Sequence, residues 1–105
     1  MTEQGRIEEL VVQELDEANK KYPLFHSPHE AYAVLKEEVD EVEYDVECLK
    51  AWMKSMWGDV KADRNIEEVA SNIYKHAIHT AQEAIQVAAM CLKIKKSKLY
   101  EEKGE

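Results

Sequence analysis

Glycine and proline are scarce in this chain, at three and two residues out of 105. That leaves little material for the tight turns of an all-β fold and points to helices. Cysteine is also rare. Cys48 and Cys91 stand alone, without the close pairing of a zinc or redox motif, and read as two reduced core thiols. No apolar run approaches the ~20 residues of a membrane span. The opening Met1-Thr2-Glu3-Gln4 lacks the basic region and apolar segment of a signal peptide, so a cytoplasmic location is expected. Positive charge is in short supply as well. Fourteen Lys and Arg stand against 22 Asp and Glu, a net charge of −8. That balance excludes general nucleic-acid binding, which needs basic surface to displace counterions, and suits a protein that recruits divalent cations. An apolar fraction of 45% is enough for one folded helical domain over residues 1–105. A domain this small buries a limited share of its surface, so a homodimer or homotetramer is expected.

Three helices account for nearly the whole chain. The first is expected from about Glu3 to Lys20, with Ile7, Leu10, Val11, Leu15 and Ala18 on one face, ending before Tyr22-Pro23. Ser27-Pro28-His29-Glu30 opens the second with an N-cap hydroxyl, a proline at the first helical position and a capping-box glutamate. That helix is expected to run to Gly58 as a left-handed C-terminal cap. The third is expected to start at Asn65 as N-cap and to reach the lysine-rich segment 93–98, with a frayed tail over Leu99 to Glu105. Its stripe of Ile66, Ile73, Ala77, Ala84, Ala88 and Cys91 is widened by Ile78, Ile85, Ala89 and Leu92. A helix this apolar is central or shared with another subunit.

Acids on the second helix break the pattern. Val34, Leu35, Val42, Val46, Leu49, Trp52, Met53 and Met56 fall on one side, and Glu38, Glu41 and Asp45 project into the same arc. Lys36, Asp40, Glu43 and Glu47 face away. A carboxylate on a core-facing stripe needs a basic partner or a metal ion. On the third helix Glu83 and Gln86 repeat the i, i+3 spacing of Glu38 and Glu41, with His76 and His79 one and two turns earlier. If the two helices pack antiparallel, the four groups face one another as hard oxygen ligands. Such a set suits Mg²⁺, or alternatively Mn²⁺, better than zinc. The pairs His26/His29 and His76/His79 have HxxH spacing, but the first spans a turn and the second keeps company with carboxylates. A carboxylate-bridged di-iron site would need a glutamate three residues before each histidine, and neither His76 nor His79 has one.

Glu37-Glu38-Val39-Asp40-Glu41 matches an EExxE element, and Glu83-Ala84-Ile85-Gln86-Val87-Ala88-Ala89 is similar to an ExxD element followed by small and apolar residues. With Lys21-Tyr22-Pro23 and Ser27-Pro28-His29-Glu30 before them, these segments resemble the MazG-like, all-α nucleoside triphosphate pyrophosphohydrolases of phage and bacterial type. The resemblance spans about residues 7 to 50 and 76 to 94. It implies a MazG-like helical bundle in which a long antiparallel hairpin is completed by oligomerisation. It also implies Mg²⁺-dependent hydrolysis of a nucleoside triphosphate to monophosphate and pyrophosphate. Glu38, Glu41, Glu83 and Gln86 would be the metal ligands, and Glu37 or Glu38 would orient or deprotonate the water. Gln86 stands where the family has aspartate, and Asp45, one turn beyond Glu41, is a candidate for the missing charge. The interval between Glu41 and Glu83 also exceeds that of compact members, with residues 47–70 reading as an extension of the hairpin.

Around this set, His79 is a candidate to contact phosphate or orient Glu83, and Tyr22 and Phe25 either line a nucleobase pocket or staple the second helix. Lys75, Lys93, Lys54 and Arg64 are candidate phosphate contacts that read more readily as solvated surface. Trp52 and Trp57, with Met53 and Met56, read as core or subunit interface rather than a base-stacking lid. The rival class is a helical oligomerisation or interaction module that kept the fold and lost the metal. Gln86 favours it, and the inward Glu38, Glu41 and Glu83 oppose it.

Overall fold

The computed structural model describes residues 2–100, which form three helices. α1 spans Glu3–Lys21, α2 spans Pro28–Lys61 and α3 spans Glu67–Lys96. Among the described residues there is no strand, and no helix is long and apolar enough to cross a membrane. Residues 101–105, the end of the tail expected to fray, lie outside the described residues. Leu99, at the start of that tail, packs against the core.

The helix starts follow from local chemistry. Thr2 Oγ1 accepts from the Gly5 amide and caps α1. Ser27 Oγ accepts from the Glu30 amide at 3.1 Å, while Glu30 Oε1 reaches back to accept from the His26 amide at 2.8 Å. This is the capping box read from the sequence, displaced by one residue on its return bond. Asn65 does its capping from one position further out than expected. Ile66 holds the N-cap place, and Asn65 Oδ1 accepts from the Glu67 amide at 2.7 Å.

The α2–α3 hairpin is antiparallel, since Glu38 lies by Glu83 and Gln86, Asp45 by His79, and Trp52 by His76. α3 packs against both other helices, whereas among the described residues the backbones of α1 and α2 make no close approach. The hydrophobic core therefore collects at one end. Val11 and Leu15 of α1, Phe25, Ala31 of α2, and Ala89 and Met90 of α3 are buried there, with Val34, Leu35, Ile85 and Ile94 against them. Ser97 ties the same end together, its Oγ accepting from the Phe25 amide at 3.0 Å.

Beyond that end the molecule thins to two helices. Val46, Leu49, Trp52 and Met56 are only half-buried, and Met53, expected to share their face, is exposed. The chain extends 72 Å in its longest dimension with a radius of gyration of 18.6 Å, against about 13 Å for a compact chain of this length. Its accessible surface is 8151 Å², on the order of 2,000 Å² more than a folded monomer of this mass carries.

Two sequence expectations need correction. The buried face of α3 runs through Val69, Glu83, Ala89, Met90 and Lys93, centred more than a third of a turn from the expected stripe. Ile66, Ala77, Ala84 and Cys91 of that stripe are exposed, as are Ile78 and Leu92. The polar members Glu83 and Lys93 belong to the buried side, and apolar count alone misplaces its centre. Gly58 is also not a cap, because α2 continues through it to Lys61. The turn is made instead by Asp63, which holds a positive φ of 56°, a conformation that aspartate tolerates better than most residues. Arg64 braces the turn, its Nε donating to Asp59 Oδ1 at 2.9 Å and its amide to the Asp59 carbonyl.

A Cβ at Gly58 would meet nothing within 4 Å. Gly58→Ala should therefore stabilise the protein by about 0.5–1 kcal/mol, the usual cost of a mid-helix glycine. Urea denaturation measures this, and a loss of stability would restore Gly58 as a cap.

Candidate functional site

The unusual acids meet at the inner edge of the three-helix end. Glu38 and Glu41 come from successive turns of α2, and Glu83 faces them from α3. One carboxylate oxygen of each lies within 4.8 Å of the others. Glu83 is only 8% exposed, Glu38 is half-buried and Glu41 opens to solvent. No lysine or arginine makes an ion pair with any of the three among the described residues. Three carboxylates without a cation are a strained arrangement, and the proton affinities of Glu83 and Glu38 register it. Glu83 is pushed up to about 7 by hydrogen bonding to Glu41, by burial, and by the charges of Glu41 and Glu38, with His79 opposing. Glu38 is also raised, first by burial and then by the charges of Glu41, Glu37 and Glu14.

Gln86 closes the set. With its amide nitrogen turned inward it donates to Glu38 Oε2 at 2.9 Å and to Glu83 Oε2 at 3.3 Å, the orientation that satisfies the hydrogen bonds. Half a rotation about its last torsion replaces that donor with an oxygen acceptor.

Asp45 belongs to an adjoining set rather than to the first triad. It is 4% exposed, and its Oδ2 lies 2.8 Å from His79 Nδ1. His79 Nε2 lies 3.5 Å from Glu83 Oε1, so the imidazole bridges a buried aspartate and the shared glutamate. Potential ligand atoms of Asp45, His79 and Glu83 fall within 4.8 Å of one another. Both sets thus use Glu83 as their common corner.

Two cavities flank these side chains. An open groove of about 790 Å³ is lined by Glu37, Glu41, Asp45, His79 and Glu83 together with Tyr32 and Tyr44. A second cavity of about 520 Å³ is lined by Glu14, Tyr22, Phe25, Val34, Glu38, Gln86, Met90 and Lys93. Glu41 and Glu83 face the first, Glu38 and Gln86 the second, and the four form the wall between them.

The remaining candidates divide cleanly. Glu37 stands on the open groove, and Tyr22 and Phe25 on the second cavity, with Phe25 buried and Tyr22 exposed. Lys75 is exposed on α3 and lines neither cavity. His76 packs against Trp52, their ring centroids 6.3 Å apart, while Trp57 is exposed beneath the Lys61 ammonium. Lys54 and Arg64 lie on the surface as expected. Lys93 does not. Only 4% exposed, it sits with its ammonium 4.8 Å from the centre of the Phe25 ring and 6.0 Å from that of Tyr22. Its sequence signal was position, since Glu83, Gln86, Met90 and Lys93 follow one helical stripe.

No protein-family model, curated protein or solved structure matches the chain.

The raised Glu83 carries a pH signature. Folded Glu83 holds its proton up to about 7, whereas an unfolded glutamate releases it near 4.3. Between these values the folded state binds more protons, so its stability falls as pH rises. The protein should lose on the order of 10 °C or more in Tm across that window, and Glu83→Gln should flatten this part of the profile. Thermal melts from pH 4.5 to 7.5 measure it, and an unchanged slope in the variant would remove Glu83 as its source.

Proposed function

We propose that this chain is a divalent-metal-dependent nucleoside triphosphate pyrophosphohydrolase of the MazG-like type, converting a nucleoside triphosphate and water to monophosphate and pyrophosphate, and serving nucleotide-pool housekeeping. The observation that carries the reading is the cluster of Glu38, Glu41 and Glu83, opened to solvent on one side and paired with no lysine or arginine among the described residues, His79 alone approaching Glu83. Purely structural glutamates at such a place would be expected to hold a lysine or arginine. The motif order Glu37-Glu38-Val39-Asp40-Glu41 followed by Glu83-Ala84-Ile85-Gln86 supports the same assignment.

The residues fit a hard cation. Glu38, Glu41 and Glu83 supply carboxylate oxygens at mutual distances that one ion can span, and Gln86, rotated, supplies a neutral oxygen. An all-oxygen set of this kind favours Mg²⁺ or Mn²⁺. When bound, the cation would offset phosphate charge, polarise the α-phosphorus and lower the pKa of a water.

The chain's own groups perform the remaining tasks. Glu37 faces the open groove and is placed to orient a water and take its proton. Glu38 is engaged by Gln86 and is better suited to hold a ligand than to move a proton. As the water oxygen bonds to the α-phosphorus, the bond to the α,β-bridging oxygen breaks and pyrophosphate leaves. The buried Asp45 fixes the His79 ring beside Glu83, where the imidazole can approach a phosphate oxygen or steady the glutamate. Asp45 also places a second negative charge beside the triad, offsetting the neutrality of Gln86.

Assembly belongs to the same proposal. The surplus surface, the exposed Ile66 at the N-cap of α3 with Ile78 and Leu92 along it, and the two-helix tip favour a homodimer or homotetramer. Light scattering should give a mass of at least twice the 12.2 kDa chain, and a clean monomer would contradict this.

A panel of ribo- and deoxynucleoside triphosphates with Mg²⁺ should yield pyrophosphate and monophosphate, not orthophosphate. Glu41→Gln should lower kcat/KM by on the order of 10²-fold or more, and Asp45→Asn should weaken Mg²⁺ binding measured by calorimetry. Absence of turnover across the panel, together with no metal-induced rise in Tm, would favour a non-catalytic helical module.

A further inference from the structure

The cavity of about 520 Å³ beside the acidic wall contains a group that the chemistry above does not use. Lys93 is 96% buried by its 4% exposure, yet among the described residues its ammonium has no carboxylate within ion-pair distance and no hydrogen-bond acceptor. Its contacts are the faces of Phe25 and Tyr22. Ring faces attract a cation but do not replace the hydrogen bonds that an ammonium makes in water. The nitrogen is not sealed off, because the only fully buried side-chain polar atom without a partner among the described residues is Asn19 Oδ1. Lys93 therefore presents three donors to the interior of a cavity with aromatic and apolar walls.

The same cavity holds one acceptor without a protein partner, though more open to water than Lys93. Of its glutamates, Glu30 is occupied by the His26 amide and Glu38 by Gln86, while Glu17 is exposed and pairs with Lys20. Glu14 is half-buried and has no hydrogen-bond partner among the described residues. Cation donor and anion acceptor thus share a space whose volume falls in the ordinary range for small-ligand pockets. Tyr22, Phe25, Pro23 and Met90 supply flat and apolar surface for a ring, and Glu38 and Gln86 connect the space to the acidic wall.

From this pairing we infer that the cavity is a nucleobase pocket selective for a lactam edge, a carbonyl oxygen beside a ring N–H, with Lys93 donating to the carbonyl and Glu14 accepting from the N–H. Guanine, uracil and thymine carry that edge. Adenine and cytosine carry the opposite polarity, an amino donor beside a ring-nitrogen acceptor, and would set donor against donor at Lys93. A site built of buried hydrogen-bonding groups rejects the mismatched partner because its own groups are left unpaired. The inference deepens the pyrophosphohydrolase reading and rests on it for the role of the base, although base recognition itself needs neither metal nor phosphate.

That independence shapes the test. Binding of guanosine, uridine, thymidine, adenosine and cytidine to the 105-residue chain without added metal is measured by NMR titration, with Lys93→Met and Lys93→Arg alongside. The first three nucleosides should bind at least about 10-fold tighter than the last two, the difference expected from one mispaired polar contact. Lys93→Met should erase the preference, and Lys93→Arg, which keeps the charge and donors, should retain part of it. Equal binding of all five, no binding of any, or a preference unchanged in Lys93→Met would overturn the assignment. Should Lys93→Met fail to fold, the wild-type panel and Lys93→Arg still decide. Nucleoside selectivity without pyrophosphate release would leave the pocket standing and remove the hydrolase reading. Triphosphate turnover without base preference would do the reverse.

Discussion

Repulsion among Glu38, Glu41 and Glu83 is the constraint around which the rest of this molecule is arranged. Three carboxylate oxygens within 4.8 Å of one another cannot all ionise at low cost. The fold tolerates them through a raised proton affinity at Glu83, the Gln86 amide and access to solvent at Glu41. Each accommodation is reversible. The proton can leave and the amide can turn, and on the reading proposed above the open side would admit an ion. Stability has been given up at this point, and the hydrophobic core has been built next to it, with Ala31, Ala89 and Met90 on the same helices. A bundle that placed leucines at these three positions would be firmer.

Helix periodicity made much of this legible in advance. The three helices, the Ser27 cap and the facing of Glu38 and Glu41 toward Glu83 and Gln86 follow from spacing alone. What spacing could not convey was the price set by a third neighbour. The buried face of α3 is displaced because α1 covers only its C-terminal half, so polar Glu83 and Lys93 turn inward while Ile66 and Ile78 remain outside. Lys93 was hidden by its charge. A lysine in a lysine-rich segment reads as solvated surface, and only its register with Gln86 and Met90 places it inside. Gly58 was hidden by the opposite habit. Glycine near a helix end suggests a cap, but Asp63 and the Asp59–Arg64 clasp make the turn and leave Gly58 helical.

The division between a three-helix end and a two-helix tip also separates two kinds of work. The thick end positions side chains, since buried residues from all three segments converge there. The tip, from Val46 outward, offers half-buried apolar surface and no comparable core. Under the assembly proposed above, a second copy would supply the missing layer, and the site would feel assembly only through the length of α2 and α3. Both helices are uninterrupted between tip and site, so a bend or shift at one end is carried along a stiff rod rather than absorbed in a loop.

That stiffness makes α3 a ruler. Glu83 and Lys93 lie on one helix, and a rise of 1.5 Å per residue sets their backbones about 15 Å apart along its axis. Neither can approach the other without breaking the helix. Under the function proposed above, a substrate that engages both would have to bridge this span, less the reach of two side chains, with its phosphate end and its ring end at the right separation. A bare phosphate or a bare base can hold only one mark on the scale. On that proposal, discrimination by length would be set by the backbone, ahead of any contact with the chemical groups at either end.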